Sequence, residues 1–161
     1  DLHSFPTRRS SDLHIAEAEW EYASRYADPG KQTRYAWGDA LPVPADVGNI
    51  AGTETGDWLP ARFDDYRDEF QVVAPVGQFP PNRLGLHDMT GNVSEWVNDF
   101  YLSFVAGAAL VDPLGPAAGN RHAIRGSSWR SALASELRYA WRDSGDDGGQ
   151  AIGFRVARYV D

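Results

Sequence analysis

Asp88 and Glu95 flank the Thr-Gly-Asn turn of "HDMTGNVSEW", with Glu95 directly before a tryptophan. Two carboxylates so placed have three readings: a catalytic acid–base pair, a metal site, or a solvated turn whose acids only bond backbone N–H groups. The donor types favour a hard cation. Calcium takes about six to eight oxygens from carboxylates, amides and backbone carbonyls. Asp88 offers a side-chain oxygen, Gly91 and Val93 can turn carbonyls inward, and Glu95 closes the set. The alternating acids and roughly twelve-residue loop of an EF-hand are missing.

Other chemistry is thinner. The chain has no cysteine, so a thiolate nucleophile, a thiolate metal site and a disulfide are all excluded. His87 and His122, without a third ligand, are weak material for zinc or iron. Ser127, Ser128 and Ser131 lie near His122 in sequence, but "GSS" is no nucleophile elbow and reads better as small residues packed under Trp129. Arg125, Arg138, Arg142, Arg155 and Arg158 alternate with apolar residues. Arg125, Trp129, Arg138 and Arg142 could line a cleft for an anionic or peptide ligand. The favoured reading packs the arginine stems on Trp129 and Trp141 and pairs their heads with acids such as Asp143, Asp146 and Asp147.

These residues need a scaffold, and 161 residues with 42% apolar content are enough for one domain with a core. Six Trp, seven Tyr and seven Phe supply large pieces to bury. A net charge of −8 disfavours nucleic acid and favours cations. The longest apolar stretch, around 103–111, is too short to span a bilayer. Zero cysteine suits a reducing or an oxidising compartment equally. The 16 Gly and 10 Pro are spread along the chain, which marks a loop-rich globular domain.

Residues 1–14 lack periodicity, and "SFPTRRSSDL" resembles a translated sequencing adapter; this segment is expected to be non-native or disordered. Residues 15–26 predict a helix with Ile15, Ala16, Trp20, Ala23 and Tyr26 on one face and Glu17 and Glu21 exposed. "YAWGD" (35–39) reads as a short strand or turn, and 40–70 as ordered loop. Residues 71–82 are expected to be a short strand followed by Pro-set extended chain, 93–101 a short helix, and 122–130, 136–143 and 151–160 strands, the last paired antiparallel. Long loops without disulfides need something to hold them, and bound metal is one physical answer.

"AEWEYA", "YAWGD", "GNI", "APVGQFPPNRLGLHDMTGNVSEWVNDFY", "IRGSSW" and "IGFRVAR" occur in the order found in the sulfatase-modifying-factor family, the formylglycine-generating enzyme domain. The resemblance covers residues 16–159. It implies an α+β, C-type-lectin-like fold, loop-rich, with short antiparallel strands and one or two helices. Family domains carry further residues before "AEWEYA", so 15–161 is expected to be the C-terminal part of a domain within a longer, multidomain protein.

The resemblance also implies sites. Asp88, Gly91, Val93 and Glu95 match one family calcium site, with Asp88 where Asn is usual. Asn49, Ile50, Asp68 and Phe70 match a second; "APV" anchors the alignment on Asp68 rather than Asp64 or Asp65. The copper-binding cysteines of the formylglycine-generating enzymes would fall at Ser131 and near Ala134, and neither residue is a soft ligand. The expectation is therefore a calcium-stabilised domain without the copper–cysteine oxidase centre, serving as a binding or accessory module for a peptide, protein or small molecule. Whether the chain is an enzyme stays open. The alternative is part of a nonheme-iron oxidase whose ligands lie upstream. A lectin-fold display protein ranks third, because residues 121–161 contain no Asn.

Overall fold

The computed structural model describes residues 15–25, 33–103, 115–116 and 118–157. Expectations for residues 1–14, for most of 103–111, for Tyr26 and for Arg158 lie outside the described residues.

Helix α1 (Glu17–Arg25) forms where the apolar period predicted it and buries Trp20, Ala23 and Ser24. The first N–H groups of a helix have no intrahelical acceptor. Here Glu19 reaches back to accept the Ala16 N–H at 2.8 Å, and Asp99 accepts the Glu17 N–H at 2.7 Å from a distant strand. The helix start is thus tied both to itself and to the sheet.

The sheet has four short strands: β1 (Ser94–Phe100), β2 (His122–Arg125), β3 (Arg142–Gly145) and β4 (Ile152–Phe154), in the order β3-β2-β1-β4. β2 runs antiparallel to β1 and β3, whereas β4 runs parallel to β1. A register shift between Trp96 and Phe100 bends β1 against β2.

Four expectations need correction. The helix expected over 93–101 is strand β1. Val93, Trp96, Val97 and Phe100 do fit a helical period, but the residues that turn inward are Glu95, Val97 and Asp99, at period two. Two of those three are acids, which an apolar count cannot see. The short strand expected at the start of 71–82 does not form. Val72, Val73 and Val76 are exposed, and the Asn92 side-chain amide takes the place of a strand partner by bonding both the N–H and the carbonyl of Ala74. Residues 136–141 are turns, closed by Glu136 N–H to Leu133 and Trp141 N–H to Arg138, so β3 begins only at Arg142. Alternate burial of Leu137 and Tyr139 survives there without a ladder. The last strand pairs parallel rather than antiparallel, because the chain crosses from β3 at one edge to β4 at the other.

Two apolar clusters hold these parts. Ile15, Trp20, Met89, Val97 and Ala123 pack between α1 and the sheet. Tyr35, Val43, Ile50, Tyr66 and Leu137 pack beneath the loops of 33–70. The long loops therefore have a core of their own, and burial as well as polar ties offsets their ordering entropy.

Candidate cation sites

Two loops press on each other at the centre of the candidate region. Gly91 has φ +76°, and a Cβ there would lie 2.2 Å from the Asn49 carbonyl oxygen. Only glycine allows both the left-handed backbone and this approach. The Asn92 N–H then donates to Asn49 O at 2.7 Å, and the Gly91 N–H to Ser127 Oγ at 2.8 Å. The Asn49 loop, the 88–92 turn and the 126–128 corner are locked as one unit.

Asn49 is fully buried, and its amide Nδ2 donates to Val72 O at 2.6 Å. Its Oδ1 finds no donor among the described residues. The Asp68 carboxylate sits against the next residue: Oδ2 accepts the Ile50 N–H at 2.8 Å and Oδ1 the Phe70 N–H at 2.9 Å. Asp68 is 8% exposed, and no Lys, Arg or His pairs with it among the described residues. Burial pushes its carboxyl up to about 6, against the pull of the two N–H groups, and the nearby Glu54 carboxylate adds to the rise. Glu54 itself folds back to accept the Gly52 N–H at 3.0 Å and approaches the Asp68 N–H at 3.4 Å. A groove of about 590 Å³, lined by Glu54, Arg67, Glu69 and residues 70–73, opens beside this set. Asn49, Ile50, Asp68 and Phe70 are thus brought together, and Glu54 joins them unforeseen.

The Asp88–Glu95 loop is built differently. Asp88 holds a left-handed φ of 57°. Its Oδ2 accepts the Gly77 N–H at 2.7 Å, while its Oδ1 is buried without a donor. Glu95, inward on β1, already accepts three hydrogen bonds. Arg155, just past β4, grips it with Nη2 to Oε1 at 2.7 Å and Nε to Oε2 at 3.1 Å. The Trp20 indole N–H from α1 adds a bond to Oε2 at 2.7 Å. Arg155 also donates to His87 O at 2.9 Å, which ties it to the Asp88 turn. The position of Glu95 before Trp96 matters because β1 turns Glu95 inward and Trp96 to the opposite face, where it meets His122 edge-on.

The remaining candidates are scattered. Arg125 is 1% exposed and bonds Glu17 at 2.9 Å, Glu21 at 3.0 Å and Tyr139 O at 2.7 Å. Arg142 binds the same Glu17 carboxylate. Glu17 and Glu21, expected to be exposed, are therefore the arginine partners, in place of Asp143, Asp146 and Asp147. Burial alone would raise the Glu17 carboxyl, but Arg142 and Arg125 hold it below its ordinary 4.5. Trp129 is buried and carries Arg130 over its ring, and Arg138 is exposed. Arg125 acts as an internal tie and presents no cleft wall.

Ser131 is buried, with its Oγ accepting the Ser128 N–H at 3.1 Å, and half-buried Ala134 packs on the second apolar cluster. A hydroxyl and a methyl do not fit a soft-metal pair. His87 Nδ1 donates to Phe79 O at 2.7 Å, and His122 lies against Phe100 with ring centroids 4.4 Å apart. Among the described residues no three His, Cys, Asp or Glu side chains gather as a ligand set. The oxygen sets above rely on two acids plus amides and carbonyls, a different pattern. Arg155 and Trp20 were given other roles by the sequence, and Glu54 was not singled out; an arginine at period two on a terminal strand was the one visible signal.

Comparison with known proteins agrees with this architecture. Residues 7–160 match the model of the sulfatase-modifying factor enzyme 1-like domain. The formylglycine-generating enzyme of Streptomyces coelicolor is 35% identical over 157 residues, covering 90% of this chain and 46% of that enzyme. The chain thus spans less than half of that relative. The serine/threonine-protein kinase Pkn1 of Chlamydia trachomatis is 33% identical over 150 residues, covering 90% of this chain and 21% of that kinase. Among solved structures, PvdO from Pseudomonas aeruginosa superposes with a TM-score of 0.65 at 29% identity, covering 91% of this chain and 52% of PvdO. Treponema denticola variable protein 1 superposes at 0.70 and 23% identity, covering 93% and 49%, which bears on the fold alone. One helix, a small mixed sheet and long ordered loops make this the α+β, C-type-lectin-like fold of those neighbours, and the chain belongs to the sulfatase-modifying factor enzyme 1-like domain family.

Proposed function

We propose that this chain is a calcium-stabilised, formylglycine-generating-enzyme-like domain that works as a binding or accessory module without copper–cysteine chemistry. The observation that carries the calcium reading is Asn49 Oδ1, a fully buried amide oxygen with no donor among the described residues, one residue from Ile50, whose N–H bonds the Asp68 carboxylate that has no ion-pair partner among them. Hard divalent cations take such oxygens, and leaving Asn49 Oδ1 unpaired in the interior costs about 1–3 kcal/mol. Asn49 and Asp68 would hold the ion by side-chain oxygens, with backbone carbonyls of Ile50 and Phe70. Asp88 Oδ1 supports a second site in the same way, with Glu95, Gly91 and Val93 as its other members. Bound calcium would supply positive charge and cross-link loops.

The absence of copper chemistry rests on donor identity: Ser131 and Ala134 stand where a thiolate pair would be needed, and the chain has no cysteine. The accessory role is supported by the Chlamydia relative, in which a matching region occupies a fifth of a protein named as a kinase. Iron held by His87 and His122 finds little support, since they are engaged with Phe79 and Phe100; the alternative of an oxidase whose ligands lie upstream does not depend on them.

The test is calorimetric calcium uptake with thermal melting in calcium and in chelator. Uptake, with a melting point lowered by chelation and restored poorly by magnesium, supports the reading; neither effect refutes it. Incubation with copper, oxygen and a Cys-containing sulfatase peptide should leave the peptide mass unchanged. Conversion of the cysteine to an aldehyde above a no-protein control would overturn the accessory assignment.

A further inference from the structure

We infer that the two cation sites are unequal: the Asn49–Asp68 site loads first and tightly, and Arg155 holds the Asp88–Glu95 site weak by serving as its resident cation. This rests on the calcium reading above and goes beyond it.

The local charges differ. Around the Asp88 turn, the Glu95 carboxylate already faces a guanidinium, which also reaches the His87 carbonyl beside Asp88. Arg155 takes both oxygens of Glu95 in a fork, at 2.7 and 3.1 Å, and such bidentate pairs are the strong ones. The Trp20 N–H occupies the same carboxylate further. An incoming ion must share Glu95 with a positive charge already in contact, so it gains less and meets repulsion. Around Asp68 the balance is the opposite. Glu54 lies against the Asp68 backbone and adds a second carboxylate. Among the described residues neither acid has an ion-pair partner. Arg67, on the same groove, is drawn off to Glu69 at 3.8 Å. The unpaired, fully buried Asn49 Oδ1 adds a neutral donor there. Affinity at oxygen sites follows ligand charge count, and the net local charge favours the Asn49–Asp68 site.

The arrangement also gives Arg155 a structural task. It joins β4, β1 and the His87 carbonyl without metal, so the Asp88 turn keeps its shape when calcium is low. Among the described residues the Asn49–Asp68 loop has no such internal cation.

The experiment is calorimetric titration of calcium into the metal-stripped full chain. Two steps are expected. Asp68→Asn should delete the tighter step and Asp88→Asn the weaker. Glu54→Gln should weaken the tighter step on the order of tenfold and leave the weaker one. Arg155→Gln should strengthen the weaker step by a similar factor and leave the tighter one. Should Arg155→Gln fail to fold, Glu54→Gln decides alone. A single class of equal sites, or a Glu54→Gln titration that matches wild type, overturns the inference while leaving the calcium reading intact. No uptake by wild type overturns both.

Discussion

Arg125 is the most deeply buried charge described, and replacing it with methionine tests what it is for. Methionine keeps the stem volume over Trp20, whose ring lies 5.1 Å from the guanidinium carbon, and removes every donor. Glu21 loses a partner at 3.0 Å but keeps Arg25 at 3.3 Å, Tyr139 O loses a donor at 2.7 Å, and Glu17 keeps Arg142. Breaking a buried pair so that a charge is left uncompensated costs about 3–5 kcal/mol. The Glu21 side chain is 36% exposed, keeps Arg25 and can rehydrate, which puts the loss at the low end, about 3 kcal/mol. For a domain of this size that is a melting-point drop of about 6–12 °C. Urea unfolding reads it as a shifted midpoint with an unchanged slope. A loss below about 1 kcal/mol would refute the tie, because an exposed ion pair would give no more. If that small loss came with weakened binding of an acidic peptide, the cleft reading would replace it.

Acidification should expose the same cluster. Glu17 has its carboxyl held below 4.5 in the folded state, so its stabilisation is complete above that pH and is lost as pH falls further. Arg125→Met should shrink this acid limb in a plot of urea midpoint against pH, and an identical limb in both proteins would count against the assignment. Gly91→Ala meets both a φ of +76° and the Asn49 carbonyl at 2.2 Å, whereas Gly77→Ala meets a similar φ in open space. The left-handed backbone alone costs about 1–2 kcal/mol, so Gly77→Ala should lose that much and Gly91→Ala clearly more; equal losses would show that the two loops separate freely.

What the sequence determined by itself is local or carried by whole motifs. The helix expected over 15–26, found as Glu17–Arg25, was legible because its apolar period is complete within a few turns and needs no distant partner. The loop-rich α+β architecture followed from scattered Gly and Pro and from the ordered set of family blocks, and the structure has it. The juxtaposition of Asn49 with Asp68 was legible only through those blocks.

Tertiary structure decided the rest. Residues 93–101 satisfy a helical and a strand period at once. The choice fell to β2 and β4, which pair with β1, and to Trp20, Arg155 and Glu17, which satisfy the inward acids Glu95 and Asp99. The direction of β4 and the end of the apparent strand at 136–141 were likewise set by sheet order. The partners of Arg125 and Glu95 lie so far along the chain that no window contains both members. A buried charge is tolerated only where its counter-charge arrives, and that meeting is a property of the assembled fold, not of any segment.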